Sequence, residues 1–397
     1  MPSLSRKIDQ IEESQTIAIS SLARKLRAEG KNIISLSAGE PDFPTPENVK
    51  QAAIKAIQNN FTKYTQNEGI PELREAVAAK FRNDNKLNVK AANILISSGG
   101  KHSIFNALQT ICDPGDEVVI PSPYWVSFPE MVKLVDAVPV ILPTKEEHGF
   151  TFTAEDVKPF LTRRTKAIII NSPSNPTGSV LDEETLRGIA KLAKEYDFFI
   201  ISDEIYEKIV YDGHKHFSVG SIPEVQDKVI TTGGVSKAYS MTGWRIGFMA
   251  ANEEIIARAS KIQSQVTSNP SSISQAAALE AIRGTQGDIE KMRSAFQRRR
   301  DLIIEKLSKI KGLSVTNPGG AFYFFPSVKG LFGKKYDGQI LKDSLDVAHY
   351  LLAEAQVALV PGAAFGSDDH IRISYAYSEN ELTEAVDRIA VAVSKLK

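Results

Sequence analysis

Two basic side chains, Lys237 and Arg245, have the types and the spacing that suggest covalent chemistry next to a bound phosphate. They lie between two apolar runs, residues 228–232 and 246–251, which predict short buried strands. A lysine held between strands by small residues is poorly solvated, so we expect the pKa of its ammonium to fall until the free amine can attack a carbonyl. Arg245 is a permanent cation suited to a phosphate. The alternative is that both are solvated side chains in a glycine-rich turn.

A carboxylate and a phenol come at the end of another apolar run. Residues 198–202 predict a buried parallel strand, and Asp203 stands at its carboxyl end, the edge where open α/β sheets bind ligands. Asp203 can pair with a pyridinium nitrogen and keep it protonated, and the Tyr206 hydroxyl can donate to the phenolic oxygen of the same ring. With Lys237 and Arg245, these residues predict a pyridoxal phosphate site. Alternatively, Asp203 is a helix N-cap or one of a pair of metal ligands.

The same residues belong to a set of motifs that follow one another along most of the chain. They are SAGEPDFPTP (37–46), Tyr64 ahead of GIPELR (69–74), SGGK (98–101), PSPYW (121–125), NSPSNPTG (171–178), SDEIY (202–206), the Lys237 segment and IRISYA (371–376). In this order the motifs resemble the class-I aminotransferases of fold type I, which use pyridoxal phosphate. The resemblance begins at Leu4 and extends to the C-terminus. It is strongest to the bacterial aspartate aminotransferases of the subgroup that also contains prephenate aminotransferases.

The resemblance implies a role for each matching residue. Lys237 is the catalytic amine: it forms the Schiff base with pyridoxal phosphate and, once displaced, moves a proton between the substrate Cα and the cofactor. Contacts to the cofactor are implied for Tyr64, Gly100, Lys101, Trp125, Asn175, Asp203, Tyr206, Lys237 and Arg245. Contacts to the substrate are implied for Gly39, Lys101, Trp125, Asn175 and Arg372.

Five of these residues also have an ordinary structural interpretation. Gly39 can be a turn glycine, and Trp125 can pack in the core. Asn175 precedes a proline, where a turn-capping asparagine is common. Arg372 fits the solvent face of an edge strand, and Lys101 fits the first turn of a helix. Their positions in the family motifs favour the site interpretation.

Substrate choice depends on the charge near the substrate side chain. A dicarboxylate needs a cation there, and the resemblance implies that Lys101 supplies it, with Ser14 and Thr16 offering hydroxyls from a mobile N-terminal arm. This predicts an aspartate:2-oxoglutarate aminotransferase that works through two half-reactions in ping-pong order. Two positions depart from the relatives: Gly234 stands where many have a phosphate-binding serine, and Glu12 stands where enzymes that accept prephenate have a basic residue.

Other functions stay open from the sequence. Within the family, the alternatives are an aminotransferase for aromatic or neutral amino acids or for prephenate, a C–S lyase that performs β-elimination, and a cyclopropane-carboxylate synthase. A further alternative is a regulator without enzymatic activity, which normally carries an attached DNA-binding domain. The retained Lys237, Asp203, Tyr206 and Arg372 favour an enzyme. The resemblance also implies that Tyr64 reaches the phosphate of a neighbouring subunit, and thus a homodimer with shared active sites.

The composition of the chain limits which binding partners and which cellular compartment are expected. The chain has 397 residues with 48 basic and 48 acidic side chains, so its charge gives no indication of nucleic-acid or anionic-membrane binding. Neither a signal-peptide core nor a run long enough to span a bilayer is visible, and we expect a cytoplasmic protein. The six histidines lack metal-ligand spacing, so no metal is expected, and His214 and His216 should be solvated. The single cysteine, Cys112, should pack in the interior.

The pattern of apolar runs predicts an α/β architecture. Strands are expected at 118–121, 138–142, 166–170, 198–202, from 229 and from 246, alternating with helices at 101–111, 183–196 and 275–282. A long charged helix, 288–310, leads to a shorter α+β pattern. We therefore divide the chain into an N-terminal arm (1–45) that contributes to the small domain, a large cofactor-binding domain (46–285) and a small C-terminal domain (286–397). The resemblance implies that the large domain is a seven-stranded, mostly parallel sheet between helices.

Overall fold

A computed structural model describes residues 4–397 of the chain. Its helices are α1 (Gln15–Ala28), α2 (Glu47–Gln58), α3 (Pro71–Asp84), α4 (Gly100–Ile111), α5 (Ser127–Leu134), α6 (Ala154–Val157), α7 (Glu183–Tyr196), α8 (Glu253–Val266), α9 (Ser272–Arg283), α10 (Gly287–Leu307), α11 (Ser344–Glu354) and α12 (Glu379–Ser394). Its strands are β1 (Ile34–Ser35), β2 (Ile94–Ser97), β3 (Glu117–Ser122), β4 (Val138–Pro143), β5 (Thr165–Asn171), β6 (Phe199–Asp203), β7 (Val229–Gly234), β8 (Gly247–Ala250), β9 (Tyr323–Phe324), β10 (Lys335–Tyr336), β11 (Gln339–Ile340), β12 (Val357–Ala358), β13 (Val360–Pro361) and β14 (Ile371–Ser374). None of the helices in residues 4–397 has the length and apolar character needed to cross a membrane.

A seven-stranded sheet in the order β2-β8-β7-β6-β5-β3-β4 forms the centre of the molecule. Its strands run parallel except β8, which is antiparallel to both β2 and β7. Helices cover both faces: Ile200 of β6 packs in one core with Ile189 of α7, and Ile201 packs on the other face with Ile104 of α4. Sheets of parallel strands are typically buried in this way, which explains the continuous apolar runs. The predicted α/β class with a seven-stranded, mostly parallel sheet is confirmed.

The carboxyl ends of the parallel strands place polar residues side by side. Asp203, the last residue of β6, pairs with Asn171 at the end of β5 and with Thr232 in β7. Asn171 Nδ2 donates a hydrogen bond of 3.1 Å to the backbone oxygen of Asp203, which ties the two strand ends together. Open α/β sheets bind their ligands at this edge.

Local sequence determines where the helices around the sheet begin. Asp182 caps α7 by accepting a hydrogen bond of 2.8 Å from the backbone N–H of Thr185. Asn252 caps α8 in the same way, at 2.9 Å from the N–H of Ile255. By contrast, α4 follows Gly99, which has a φ of 93° and provides no capping side chain. The first N–H groups of α4 therefore stay available to a ligand.

The C-terminal region has its own small sheet and shares its core with the N-terminal arm. Strands β13, β14 and β9 form an antiparallel sheet in that order, and β1 from the arm pairs in parallel with β12. Leu36 of the arm packs in one core with Phe324, Ile371 and Ile389. Residues from both ends of the chain thus stabilise the same unit. The domain boundaries at residues 45 and 285 stay a prediction.

Two of the differences from the sequence prediction concern a strand of the large sheet and the long helix. The strand β2, Ile94–Ser97, was not among the predicted strands, and it pairs with β8 at the edge of the large sheet. With four residues it is too short to show a period of its own. The long helix α10 ends at Leu307, three positions before the predicted end at residue 310.

Candidate active site

One cavity of about 810 Å³ lies at the carboxyl edge of the large sheet. Asn171 at the end of β5 and Asp203 at the end of β6 line it, together with residues of α1, α4 and the C-terminal region. The sequence-predicted site residues in its wall are Gly39, Gly100, Lys101, Trp125, Asn175, Asp203, Tyr206, Lys237, Arg245 and Arg372. The fold therefore brings together in one place groups that are distributed over most of the chain.

Lys237 follows β7 and is partly buried in the wall of the cavity. Its Nζ donates a hydrogen bond to the backbone oxygen of Gly39 and lies 5.9 Å from the centre of the Tyr206 ring. Loss of water lowers the pKa of this amine, and the cationic Arg372 lowers it further, to about 8 from the usual 10.5. Part of the amine is thus uncharged near neutral pH, and it can act as a nucleophile or accept a proton.

Asp203 is buried at the end of β6. Burial raises the pKa of its carboxyl to about 7, against a hydrogen bond of 3.3 Å from the backbone N–H of Ile205. Within residues 4–397, no cationic side chain forms a salt bridge with it. A buried carboxylate in this situation gains most from a cation that a ligand brings, such as a protonated ring nitrogen.

Hydrogen-bond donors that suit a phosphate lie at the N-terminus of α4. Gly100 and Lys101 line the cavity, and the first N–H groups of a helix have no partner within it. The Arg245 guanidinium lies against Gly99, where a β-carbon would collide with it, and its Nη1 donates to the Thr242 oxygen at 3.0 Å. A cation and the positive end of a helix therefore face the same space.

The departure at Gly234 has a structural reason. A β-carbon at this position would come within 3.0 Å of the backbone oxygen of Ile246 and 3.2 Å of the Gly247 Cα. The close approach of β8 therefore leaves no room for a serine without a shift of the strand. Ser236, two positions later, lines the cavity.

Arg372 is buried on β14, which makes the solvent-exposed alternative wrong. Its Nη1 donates to Asn175 Oδ1 at 2.9 Å and its Nη2 donates to the Ser37 oxygen at 2.6 Å. The Nε is buried without a partner among the described residues. Burial lowers the pKa of this guanidinium, which no carboxylate in residues 4–397 pairs with. A buried cation in the cavity wall without a carboxylate partner is a site for an anionic group.

Besides Arg372, the cavity wall contains the cation Lys101, which lies next to Trp125. Lys101 Nζ lies 5.0 Å from the centre of the Trp125 ring, within the range of a cation–π contact. Burial lowers the pKa of Lys101, and the nearby Arg245 lowers it further. From α1, Thr16 lines the same cavity, and its buried Oγ1 has no partner among the described residues. The Lys101 cation is thus available to a second anionic group, and Thr16 lies in the same wall.

Two predicted residues lie away from this cavity. Tyr64 is 91% exposed and does not line the cavity of this chain. The predicted role of Tyr64 concerns a neighbouring subunit, which the single chain does not test. Glu12 is not part of the cavity wall, and its backbone N–H donates to Glu130 Oε2 at 3.0 Å.

Tyr323 of β9 is a site residue that was not predicted from the sequence. Its hydroxyl is 2.7 Å from the hydroxyl of Tyr206, and both rings are buried. The residue also lines the cavity. The sequence indicates this role only weakly, because a tyrosine in the apolar run 321–325 is expected to pack in the core. A buried phenol nevertheless requires a hydrogen-bond partner.

A buried polar cluster lies behind Asp203 and shows that the prediction of a solvated His216 was wrong. The His216 Nε2 is 2.9 Å from Glu204 Oε2, and only 11% of its side chain is exposed. Glu207 forms an ion pair with Lys80. Asn85 Nδ2 bridges the two carboxylates at 2.8 Å and 2.6 Å. Although the ligand atoms of Glu204, Glu207 and His216 lie within 4.8 Å of one another, protein groups already satisfy them, and we assign no metal to the cluster.

The family of the chain follows from comparison with known proteins. The model of the family Aminotransferase class I and II matches residues 31–389. The chain belongs to this family. Family membership implies pyridoxal phosphate as the cofactor and confirms both the sequence-based recognition and the assignment as an aminotransferase enzyme.

Individual relatives match over almost the full length. An aspartate aminotransferase of Bacillus sp. (strain YM-2) is 47% identical over 387 residues, which cover 97% of this chain and 98% of that protein. A probable aspartate/prephenate aminotransferase of Rickettsia bellii (strain RML369-C) is 45% identical, with 100% of both chains covered.

Solved structures agree with this fold. The crystal structure of the aspartate aminotransferase from Rhizobium meliloti has a TM-score of 0.96 at 42% identity and covers 100% of both chains. The Thermus thermophilus aspartate aminotransferase with maleate has a TM-score of 0.94 at 43% identity, covering 99% of this chain and 100% of that one. The fold-type I architecture is thereby confirmed.

Proposed function

We propose that this protein is an aspartate aminotransferase, which passes the amino group of L-aspartate to 2-oxoglutarate and yields oxaloacetate and L-glutamate. The observation that carries the proposal is that Lys237, Arg372 and Lys101 lie together among the six lysine and arginine side chains of one cavity wall. A reactive amine together with two anion-binding cations suits an amino acid that has two carboxylates. Relatives named aspartate aminotransferase support the same substrate.

The residues in the cavity wall fit pyridoxal phosphate. The start of α4 and Arg245 suit its phosphate, and the buried Asp203, which lacks a cationic partner, suits its ring nitrogen. The Tyr206 hydroxyl suits the phenolic oxygen, and Trp125 offers a ring face for stacking. When bound, this cofactor supplies an aldehyde that condenses with amines and a ring that withdraws electrons from the substrate Cα.

Lys237 acts at its Nζ atom, first as a nucleophile and then as a base. Its pKa of about 8 lies near the working pH, so Nζ can take up the proton of the substrate Cα and release it again. The hydrogen bond to the Gly39 oxygen keeps Nζ at the cavity wall when the amine is free. No second amine of comparable pKa is required for this proton transfer.

Arg372 orients the substrate through its α-carboxylate. The hydrogen bonds to Asn175 and Ser37 fix the plane of the guanidinium before a ligand arrives, and Nη1 and Nη2 each have a second N–H to donate. A planar fork matches a carboxylate with two parallel hydrogen bonds. Fixing this end of the substrate holds its Cα within reach of Lys237, which lowers the entropic cost of the reaction.

Lys101 and Thr16 recognise the second carboxylate in this proposal. Both line the cavity, and Ser14 adds another hydroxyl from the segment before α1. The Thermus thermophilus relative was solved with maleate, which is itself a dicarboxylate. A second candidate substrate is prephenate, because the relative from Rickettsia bellii is named for it. Glu12 does not support this candidate, since it lies outside the cavity wall and supplies no cation for the additional carboxylate of prephenate.

We also propose a homodimer in which Tyr64 contributes to the neighbouring active site. Tyr64 is 91% exposed, and Ile57 and Phe61 in the same segment are exposed as well. Exposed large apolar side chains that lie close in the chain are typical of a surface covered by another subunit. The cytoplasmic location stays a prediction from the sequence.

Incubation of the cofactor-loaded protein with aspartate and 2-oxoglutarate tests the proposed function. We expect oxaloacetate and glutamate in equal amounts, without release of ammonia. A higher kcat/KM for alanine, phenylalanine or prephenate as the substrate would contradict the dicarboxylate specificity. Release of ammonia from an amino acid substrate would contradict the transfer reaction itself and indicate a lyase.

A further inference from the structure

Tyr323 contacts three parts of the site at once. Its hydroxyl lies 2.7 Å from the hydroxyl of Tyr206. The Arg372 guanidinium is 4.6 Å from the centre of its ring. Its hydroxyl also lies against Gly39, where a β-carbon would come within 2.7 Å of it. Because Gly39 accepts the hydrogen bond of Lys237, Tyr323 stands at the junction of the amine, the phenol and the carboxylate-binding arginine.

The direction of the hydrogen bond between the two phenols follows from the number of protons. Each hydroxyl has one proton to donate. If Tyr206 donates its proton to the phenolic oxygen of the cofactor, the hydrogen bond between the phenols must run from Tyr323 to Tyr206. No other acceptor contacts the Tyr323 hydroxyl among the described residues. Burial raises the pKa of Tyr206, so its hydroxyl stays protonated and can donate.

We propose that Tyr323 is a positioning residue for the reaction: its hydroxyl donates to the Tyr206 oxygen and thereby directs the Tyr206 proton to the phenolic oxygen of the cofactor. The inference rests on the proposed function, since it requires a bound pyridoxal phosphate. Hydrogen bonds in a chain polarise one another, so each donor in the chain becomes stronger. Phenylalanine at position 323 would fill the same space and keep the ring next to Arg372, but it would remove the first donor of the chain.

The pH-dependent visible absorbance of the bound cofactor reports on this chain of hydrogen bonds. A hydrogen bond donated to the phenolic oxygen stabilises its negative charge and lowers the proton affinity of the neighbouring nitrogen that links Lys237 to the cofactor. Tyr323→Phe should therefore raise the midpoint of the absorbance change by roughly 0.3 pH unit, because a neighbour in a chain strengthens a hydrogen bond by about 10–30%. A purely structural role of Tyr323 would not move this midpoint.

A double-mutant cycle separates an action through Tyr206 from a direct one. We expect Tyr206→Phe to raise the midpoint more than Tyr323→Phe does, and we expect the double variant to match Tyr206→Phe alone. Tyr375→Phe is the matched control, because it removes another buried hydroxyl in the same core, one that donates to the Ala321 oxygen at 3.2 Å. This control should leave the midpoint unchanged. Thermal unfolding of each variant verifies that the fold is retained.

Two results would overturn the inference while leaving the proposed function intact: no shift in Tyr323→Phe, or the same shift with and without the Tyr206 hydroxyl. A parent protein that shows no pH-dependent absorbance after incubation with pyridoxal phosphate would overturn the proposed function, and the role of Tyr323 with it. The three outcomes are distinguishable in one set of titrations.

Discussion

Arg372 Nη1 and Asn175 Oδ1 are joined by a hydrogen bond of 2.9 Å, although 197 positions separate the two residues in the chain. Arg372 comes from β14 in the small C-terminal sheet, and Asn175 follows β5 of the large sheet. The bond therefore connects the two sheets across the cavity wall and fixes the plane of the guanidinium. A cation oriented in advance binds a carboxylate without the cost of ordering its own side chain.

Replacing Arg372 by lysine should lower kcat/KM for every amino donor by roughly ten- to a hundredfold. Lysine keeps the charge but lacks the planar fork, and one hydrogen bond to a charged group contributes about 1.5–3 kcal/mol. The loss should not depend on the donor side chain, because every amino acid has an α-carboxylate. Steady-state kinetics with aspartate, alanine and phenylalanine measure it. Arg258→Lys on the outside of α8 is the control, and a loss restricted to one donor would argue against this role.

Replacing Lys101 by methionine should affect the donors unequally. We expect kcat/KM for aspartate and glutamate to fall by about ten- to a hundredfold, because one charge-assisted hydrogen bond to the distal carboxylate is lost. The values for alanine and phenylalanine should change little, since their side chains have no charge to pair. Lys101→Arg is the matched control and should retain much of the preference for acidic donors. An equal decrease for all donors would leave Lys101 without a role in specificity.

The predicted dimer can be tested by mixing two inactive variants. Lys237→Ala lacks the amine, and Tyr64→Glu places a negative charge where the phosphate of the neighbouring subunit should bind. Random exchange of subunits should restore about a quarter of the parent activity, because half of the dimers are hybrids with one intact site. Mixing Lys237→Ala with Asp203→Ala is the control without recovery, since one chain provides both residues. No recovery from the first mixture, with subunit exchange verified, would indicate sites built from single chains.

The large sheet and the reactive lysine could be predicted from the sequence because their signals are local. The strands β5 and β6 are continuous apolar runs bounded by polar residues, and Asp203 stands directly at the end of one of them. The strand β2 gave no such signal. Its four residues become a strand through pairing with β8, which lies about 150 positions later in the chain. Pairing of this kind depends on the tertiary fold.

The contacts of Tyr323 and His216 could not be predicted for the same reason. The partner of the Tyr323 hydroxyl, Tyr206, is 117 positions away, and the run around Tyr323 is apolar enough to be read as core. His216 lies in a charged segment that is typical of a solvated turn. It is drawn inside by Glu204, a carboxylate that the fold has already buried at the end of β6. Burial of one charged group thus determines the position of another.

Removing one partner of the buried ion pair of Lys80 and Glu207 should destabilise the fold strongly. Their side chains are 6% and 15% exposed, so Lys80→Met leaves a carboxylate buried without its partner, at a cost of about 3–5 kcal/mol. Lys145→Met, which breaks the exposed pair with Glu147, is the matched control and should leave the unfolding midpoint unchanged. Denaturant unfolding at equal cofactor loading measures both variants. Similar midpoints for the two variants would show that the buried pair is dispensable.

The same pair gives a pH dependence. Burial alone would raise the pKa of Glu207, but Lys80, His216 and Lys208 together outweigh burial and leave the pKa lowered from its usual 4.5. A lowered folded-state pKa contributes stability that is fully present above the unfolded value and is lost as the pH falls through the folded value. The difference in stability between the parent and Lys80→Met should therefore be largest at neutral to alkaline pH and decrease as the pH falls, because without Lys80 the pKa of the buried Glu207 rises and its carboxylate takes up a proton at a higher pH.

Reduction of the cofactor-loaded protein with borohydride, followed by peptide mass spectrometry, tests the central claim most directly. Borohydride converts the linkage between a lysine and pyridoxal phosphate into a stable bond, so the labelled peptide identifies the reactive amine. We predict the label on Lys237 alone, the amine whose pKa the site lowers to about 8, and no label in Lys237→Ala. A label on Lys101 or on a surface lysine, with Lys237 unmodified, would contradict the account.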